Sequence, residues 1–546
     1  MSSGYFLGLL TVALFAPSIW GATNPFAQYQ KDTPSQNSSF FPQTPPFKYP
    51  FTISAEVKNS DLDVQKILLD FPVDTLDRVS ELYRGIPFNS QKSMYEYPFA
   101  IHPTWEYLPY PFIKSIPRSN PEQWISHFSK RLNRTVGINS SKFQDELDAL
   151  TGTEAVAGNE LRVLKTPASY AEILARVEMV KSHAFISSFL FNCDKGTESL
   201  VSAIGRKART AKIYVMYDAF GAKSDPACSK RLEQLGAKVV LFKTKLGTIF
   251  HEKMYVFDGQ YAMVDGQNLI AAGTLSNGTN NLFNDVAVLA AGPIVTKIGS
   301  HFIDLWESQG QKIAPEIKEQ YLKQNAFIRP YASKAFLSNN IARMRDQGLC
   351  RLVTKSPGKN QQQILNLYLH TARNVNSYLF FNYIDPKYRD PARKDVGEKF
   401  IDAVLERVNF RKEIRVDMLT NGWKNPFQVE LPEGMAANRN LMTQLILELQ
   451  NIITTDPHKD MAKMHANLGN KVKTDNFHWW SYPQYMHAKT LMADNAWTII
   501  GSYNINEGSE YQSYESVLAC LDTELAQGMQ ESIILDAMNS IPVPLK

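Results

Sequence analysis

The chain is 546 residues long, too long for one ordinary domain, and its 44% hydrophobic and 21% charged content excludes both a disordered chain and a bundle of membrane spans. Its 58 Lys and Arg against 54 Asp and Glu leave a net charge of +4, which argues against a dedicated nucleic-acid cradle and allows a local basic patch at most. Four cysteines, Cys193, Cys228, Cys350 and Cys520, stand far apart without CxxC or Cys/His spacing, so neither a disulfide framework nor a structural zinc site is expected.

Residues 1–30 carry no charged side chain, and Tyr5 to Trp20 form an apolar run too short and too Pro-interrupted for a membrane span. The run reads as the core of a signal peptide over 1–22, with Gly21 and Ala22 near the cut, which predicts a secreted or periplasmic protein with possible membrane association. An uncleaved anchor is the alternative. Residues 23–160 form an extension rich in Pro, first over 32–50 and again from Pro98 to Pro121. Helical spacing then appears over Ser169–Ala184, Gly196–Arg209 and Cys228–Gly236, alternating with β runs at Ala184–Phe191, Ala211–Asp218 and Ala237–Phe242. The rhythm returns as helices over Gln362–Asn376 and Gly397–Asn409 and strands over Ser377–Asp385 and Lys412–Gly422. An α/β fold of two similar halves, 161–325 and 326–546, follows, each with a mostly parallel sheet flanked by helices.

Each half ends in the same chemical pattern. His251 is followed by Lys253, Asp258 and Asn268 at offsets of 2, 7 and 17, and His487 by Lys489, Asp494 and Asn504 at the same offsets. Chance duplication of that spacing is on the order of one in a million. Apolar runs on either side of Asp258 and Asp494 predict hairpins whose turns hold those carboxylates. Together the halves offer two imidazoles, two ammoniums and two carboxamides, a set suited to a phosphodiester at one shared interface site.

The two segments resemble the paired HxKxxxxD–GSxN motifs of the phospholipase D superfamily, in its bacterial cardiolipin-synthase-like branch. Phe283–Val295 resembles that branch's aromatic-x-Asp stretch before Gly-Pro, and Tyr514-Glu515-Ser516 its acidic position after the second motif. Gly501, Ser502 and Asn504 match the second motif fully, whereas Asp265 and Gly266 depart from the first. The likeness covers roughly 165–546. It implies a phospho-histidine mechanism with His251 as nucleophile and His487 as general acid. Asp285 and Glu515, 34 and 28 residues after the histidines of their own halves, are expected to orient the imidazoles, while Asp258 and Asp494 look like framework carboxylates. Lys253, Lys489, Asn268, Asn504 and Ser502 are expected to bind the phosphate, with no cofactor or metal required.

The expected substrate is a glycerophospholipid at a membrane surface, with water or an alcohol as acceptor and no nucleic acid. Cardiolipin synthesis and, further off, a nuclease are the alternatives; a binding module would have lost a His or Lys, and none is missing. Asp456, His458 and His465 read as a solvated helix face rather than a metal site. Phe477–Tyr482 reads either as an acyl-chain entrance or as ordinary packing, and Arg206, Lys207, Arg209 and Lys212 as a solvated helix end.

Overall fold

The computed structural model describes residues 88–89, 94–95, 137–166, 168–270, 284–328, 348–383, 396–421, 468–482, 486–538, 540–543 and 545. The expected signal peptide, most of the Pro-rich extension, and Asp456, His458 and His465 lie outside them.

Helix α1 (Ser141–Thr151) is capped by Ser140, whose Oγ accepts the Phe143 N–H at 3.2 Å, and is ended by Gly152 at φ +65°. The first half then runs β1 (Glu160–Lys165), α2 (Ala168–Met179), β2 (His183–Ser188), α3 (Glu198–Lys207), β3 (Lys212–Asp218), α4 (Cys228–Gln234) and β4 (Lys238–Phe242). A two-residue strand β5 (Ile249–Phe250) precedes the hairpin β6 (Met254–Phe257) and β7 (Tyr261–Asp265), and β8 (Val286–Ala291) leads into α5 (Pro293–Ser308) and α6 (Pro315–Phe327). The second half follows with β9 (Leu349–Lys355), α7 (Gln363–Asn374), β10 (Tyr378–Tyr383), α8 (Val396–Phe410), β11 (Arg415–Asn421) and β12 (Phe477–Tyr482). It closes with the hairpin β13 (Thr490–Ala493) and β14 (Trp497–Gly501), then β15 (Ser513–Leu521), α9 (Thr523–Met538) and β16 (Ile541–Val543).

The strand orders match: β1-β8-β7-β6-β2-β3-β4 in one sheet and β9-β15-β14-β13-β10-β11-β12 in the other, where β16 adds an edge. Two similar α/β halves are therefore present, but their sheets are mixed rather than mostly parallel. Within the two strand orders only β2-β3-β4 and β10-β11-β12, the strands joined by longer crossovers, run parallel. The motif hairpins, the strands after them and the first strand of each half all pair antiparallel. The helix-strand alternation announced the crossovers and said nothing of these four strands.

One core cluster lies between the sheets. Its members include Val163, Val264 and Val286 from the first sheet, Ile500 and Leu518 from the second, and Ile298 and Phe302 of α5. Outer layers cover the far faces, with α2, α3 and α4 on the first sheet and α7 and α8 on the second. The chain ends are exchanged. Ile138, Phe143 and Leu147 from the extension pack into the second half's outer core, where buried Arg351 donates to Asp148 at 2.8 Å. Conversely, α9 packs on β1 and puts Leu525, Met529 and Ile533 into the core between the sheets. These exchanges join the halves by apolar burial, which is proportional to area and insensitive to direction.

The cysteines correct the sequence expectation: Cys193 is bonded to Cys228 and Cys350 to Cys520. Cys350 and Cys520 stand opposite each other on β9 and β15, and Cys193 reaches from the loop after β2 to the start of α4. Separations of 35 and 170 residues carry no motif; only the folded register brings these sulfurs together. No helix among the described residues is long and apolar enough to cross a membrane.

Candidate active site

Both hairpins turn through residues of positive φ, Asp258 and Gly259 in the first, Asp494 and Asn495 in the second. Asp258 accepts the N–H groups of Lys181, Ser182 and His183 at 2.9, 2.7 and 3.0 Å. Asp494 accepts those of Asn376, Ser377 and Tyr378 at 2.9, 2.7 and 3.2 Å. These carboxylates tie each turn to the start of the neighbouring parallel strand, at the opposite end of the hairpin from the histidines.

At the histidine end the halves reach across to each other. The N–H of His251 donates to the carbonyl of Tyr514 at 3.0 Å, and that of His487 to the carbonyl of Asn284 at 2.9 Å. The residue after each acceptor is a carboxylate, so each meets the histidine of the other half. His251 Nδ1 lies 3.0 Å from Glu515, and His487 Nδ1 lies 2.5 Å from Asp285. Asp285 and Glu515 each contact an imidazole, and the partners are exchanged: each meets the histidine of the half it does not belong to. The reason is the seam itself, where β15 pairs with β5 and Asn284 with Met486 across the halves.

A carboxylate can only accept, so Nδ1 carries the proton in both rings and Nε2 is left for chemistry. Both rings are 8% exposed. Burial, with lysines beside it, lowers the His251 pKa against the pull of Glu515 and brings His487 down to about 4 against that of Asp285. Burial would raise Glu515 and Asp285, but the facing imidazoles and nearby lysines outweigh it and hold both below the usual carboxylate range.

Lys253 Nζ donates to the His251 carbonyl at 2.7 Å, and Lys489 Nζ to the His487 carbonyl. Burial pushes Lys253 down to about 7, with the Lys489 charge adding to it, and Lys489 to about 8. Both lysines also bear on each imidazole, which places the two ammoniums in one site. Asn268 is buried, accepting weakly from Leu190 N–H at 3.4 Å, and Asn504 is half-buried. Ser502 differs from expectation: its hydroxyl donates to Glu515 and accepts the Ser516 N–H at 3.0 Å, so it braces the carboxylate behind His251.

The departure at Gly266 has a steric cause. A Cβ at Gly266 would collide with Asp285 Oδ1 and press on the Lys489 side chain. Asp285 therefore lacks the hydroxyl that Ser502 gives Glu515, and its Oδ1 has no hydrogen-bond partner among the described residues. Asp265 accepts from Gln267 N–H at 2.9 Å, while its Oδ2 is buried without a partner among the described residues. Burial, and then the Asp285 charge, raise its carboxyl to about 7.

Several contributors carried no sequence signal. Phe189, following β2, sets its ring tilted against that of His251, 5.4 Å between centroids. Asn284 Nδ2 donates to Tyr482 Oη and Asp536 at 2.6 Å each, and Asp536 is ion-paired with buried Lys165 at 2.5 Å. This network fixes the backbone carbonyl that receives His487. It also decides the Phe477–Tyr482 segment, which forms β12 and is core packing: Trp479 and Trp480 are buried and donate to Thr420 and Asp417 at 2.8 Å. Arg206 and Lys212 are paired with Glu178 and Glu316 on the surface. Among the described residues, the one grouping of His, Cys, Asp and Glu close enough for a metal is Cys193, Asp225 and Cys228, whose sulfurs are joined to each other.

Residues 396–535 match the family described as cardiolipin synthase, PLD-like domain. Cardiolipin synthase A of Pseudomonas putida is 24% identical over 184 residues, 32% of this chain and 38% of that protein. Phospholipase D2 of Bos taurus is 24% identical over 280 residues, 46% of this chain and 28% of that protein. The chain thus spans well under half the length of these relatives. The phosphatidylserine synthase of Haemophilus influenzae aligns in structure with a TM-score of 0.49 and 12% identity, covering 74% of this chain and 92% of that one. With both HxKxxxxD segments in place, the chain is similar to proteins of the phospholipase D superfamily.

Proposed function

We propose that this protein is an exported phospholipase D-type phosphodiesterase and phosphatidyltransferase acting on glycerophospholipids through a phospho-histidine. The observation that carries the reading is the pair of crossed imidazole–carboxylate contacts, each built from both halves. Such a site has no use for one half alone, and it offers two imidazoles to opposite sides of one phosphorus.

In the proposed cycle Nε2 of neutral His251 attacks phosphorus. The phosphorus–oxygen bond to the head-group alcohol breaks, and His487 gives its Nε2 proton to the departing oxygen. Burial and Lys489 hold His487 neutral. A phosphodiester anion arriving between the lysines offsets that charge and favours the imidazolium. Water or a second alcohol then loses its proton to His487 and attacks the phospho-histidine, releasing phosphatidate or a new phosphodiester and restoring both rings. Lys253, Lys489, Asn268 and Asn504 supply donors to the non-bridging oxygens, where charge develops. The assignment of His251 to the covalent step rests on the family resemblance.

The lipid reading draws on the named relatives, and their names also motivate the choice of acceptor to be tested. Export draws on the apolar run from Tyr5 to Trp20 together with two disulfides, which persist in oxidising compartments. Lipid mass spectrometry after incubation with mixed phospholipids, with and without a primary alcohol, tests the activity. Phosphatidate, and phosphatidyl-alcohol in its place when alcohol is added, is expected; cardiolipin would identify a phosphatidylglycerol acceptor, and unchanged lipids would refute the reading.

A further inference from the structure

Leu246 is 98% exposed, the most solvent-facing of the described large apolar side chains. It sits at the tip of the loop joining β4 to β5, between exposed Lys243 and Lys245 and Gly247 at φ +79°. The loop is built rather than slack. Thr244 Oγ1 donates to the Thr248 carbonyl at 2.6 Å, and Thr248 N and Oγ1 donate to the Lys245 carbonyl at 3.0 and 2.7 Å. Its root is pinned where Lys243 N–H donates to Gln309 at 2.9 Å. These bonds hold Leu246 outward, where an apolar side chain gains nothing from water. Neither flanking ammonium joins an ion pair among the described residues, so the tip is an apolar point in an uncompensated cationic collar.

Its position matters. The parallel strands β2, β3 and β4 all end where the histidines lie: the Phe189 ring after β2 packs tilted against His251, and Asp218 at the end of β3 accepts the Phe250 N–H at 2.7 Å. The loop after β4 leaves that same end and runs into His251 five residues beyond Leu246, a reach of at most roughly 17 Å. Phe410, 80% exposed, lies at the opposite end of its sheet, where α8 leads back to the start of β11.

We propose that the Lys243–Gly247 tip docks the protein on an anionic phospholipid surface, with Leu246 inserted at the level of the acyl boundary and Lys243 and Lys245 among the head groups. The site mouth then faces the layer that supplies its substrate. The proposal rests on the lipid reading above for its purpose, and on the tip's own chemistry for its partner: a lone Leu with two cations matches an interface of apolar interior and negative surface.

The test uses the full chain. Its four native cysteines are paired, so Leu246→Cys provides one thiol for an environment-sensitive bimane label. On vesicles of equal parts phosphatidylcholine and phosphatidylglycerol, the label's emission should shift to the blue and be quenched by brominated acyl chains. Lys243→Glu with Lys245→Glu should weaken that binding by about 25-fold or more, at roughly fivefold per lysine. An aqueous label on vesicles, or a shift with an oligonucleotide and none with vesicles, would overturn the proposal. Turnover separates the two readings. Leu246→Asp should cleave a monomeric short-chain phospholipid like wild type and a vesicular one more slowly. Equal loss on both, or on neither, contradicts docking, whereas a wild-type protein that cleaves no phospholipid in any form refutes the lipid reading whatever the label reports.

Discussion

Glu515 of the second half holds His251 of the first, its two oxygens 3.0 and 3.1 Å from Nδ1, while Asp285 returns the contact to His487 at 2.5 Å. Neither half can orient its own imidazole. The seam that joins them is therefore also what sets the tautomers.

Exchange of partners makes a crossed prediction. Glu515→Gln should leave His251 with a poorly fixed tautomer and cost on the order of 10²–10⁴ in kcat. The NMR titration of His251 should move and that of His487 stay, with Asp285→Asn giving the converse. Movement of the histidine in the mutated half would contradict the crossing.

Asp536 acts at one remove, through Asn284. Asp536→Ala takes the ion-pair carboxylate away from buried Lys165 and should cost about 3–5 kcal/mol of stability. Pairing it with Lys165→Met should recover much of that loss. If Asn284 positions the carbonyl that receives His487, the double variant should regain stability yet keep a lowered kcat and a shifted His487 titration. Full recovery of both would show a packing role alone.

The lysines predict an alkaline limb far below that of ordinary amines. With Lys253 at about 7 and Lys489 at about 8, the ammoniums are present below those values and lost as pH rises through them. Substrate capture by the free protein should accordingly fall, so kcat/KM should decline through this window rather than above pH about 10. Asp265 works on stability. Its folded pKa of about 7 exceeds its ordinary 3.8, so the folded state holds the proton more tightly and stability falls as pH rises between those values. Relative to Asp265→Asn, the wild type should lose up to about 1.4 kcal/mol per pH unit there.

The sequence carried the duplicated motif, the hairpins around Asp258 and Asp494, and the crossover helices, because each is a local pattern of period or spacing. Asp285 and Glu515 were legible as carboxylates and not as partners, since the crossing is a property of the seam between β15 and β5. Ser502 looked like a phosphate ligand because its motif was visible and its hydrogen bond to Glu515 was not. Lys165 and Asp536 are 371 residues apart, and nothing short of the packing of α9 on β1 brings them together. The cysteines failed for the same reason.

Those cysteines carry a prediction of their own. Closing 170 residues, Cys350–Cys520 should stabilise by about 5 kcal/mol in the chain-entropy limit, against about 4 for the 35 residues of Cys193–Cys228. Reductant should lower the denaturation midpoint, and Cys350→Ser with Cys520→Ser should lower it more than the equivalent pair at 193 and 228. Alkylation of native, unreduced protein at any of the four thiols would contradict the pairing.

The central claim is that both halves serve one phosphorus through His251 and His487. Rapid-quench mass spectrometry with a nitrophenyl phosphodiester, whose leaving group needs no proton, tests it directly. Wild type should carry a transient phosphoryl group on His251. His487→Ala should form the same adduct and retain it, since no base remains to activate water, and His251→Ala should form none. Steady turnover by either single variant, or adducts forming independently on both histidines, would mean two separate sites and would contradict the account.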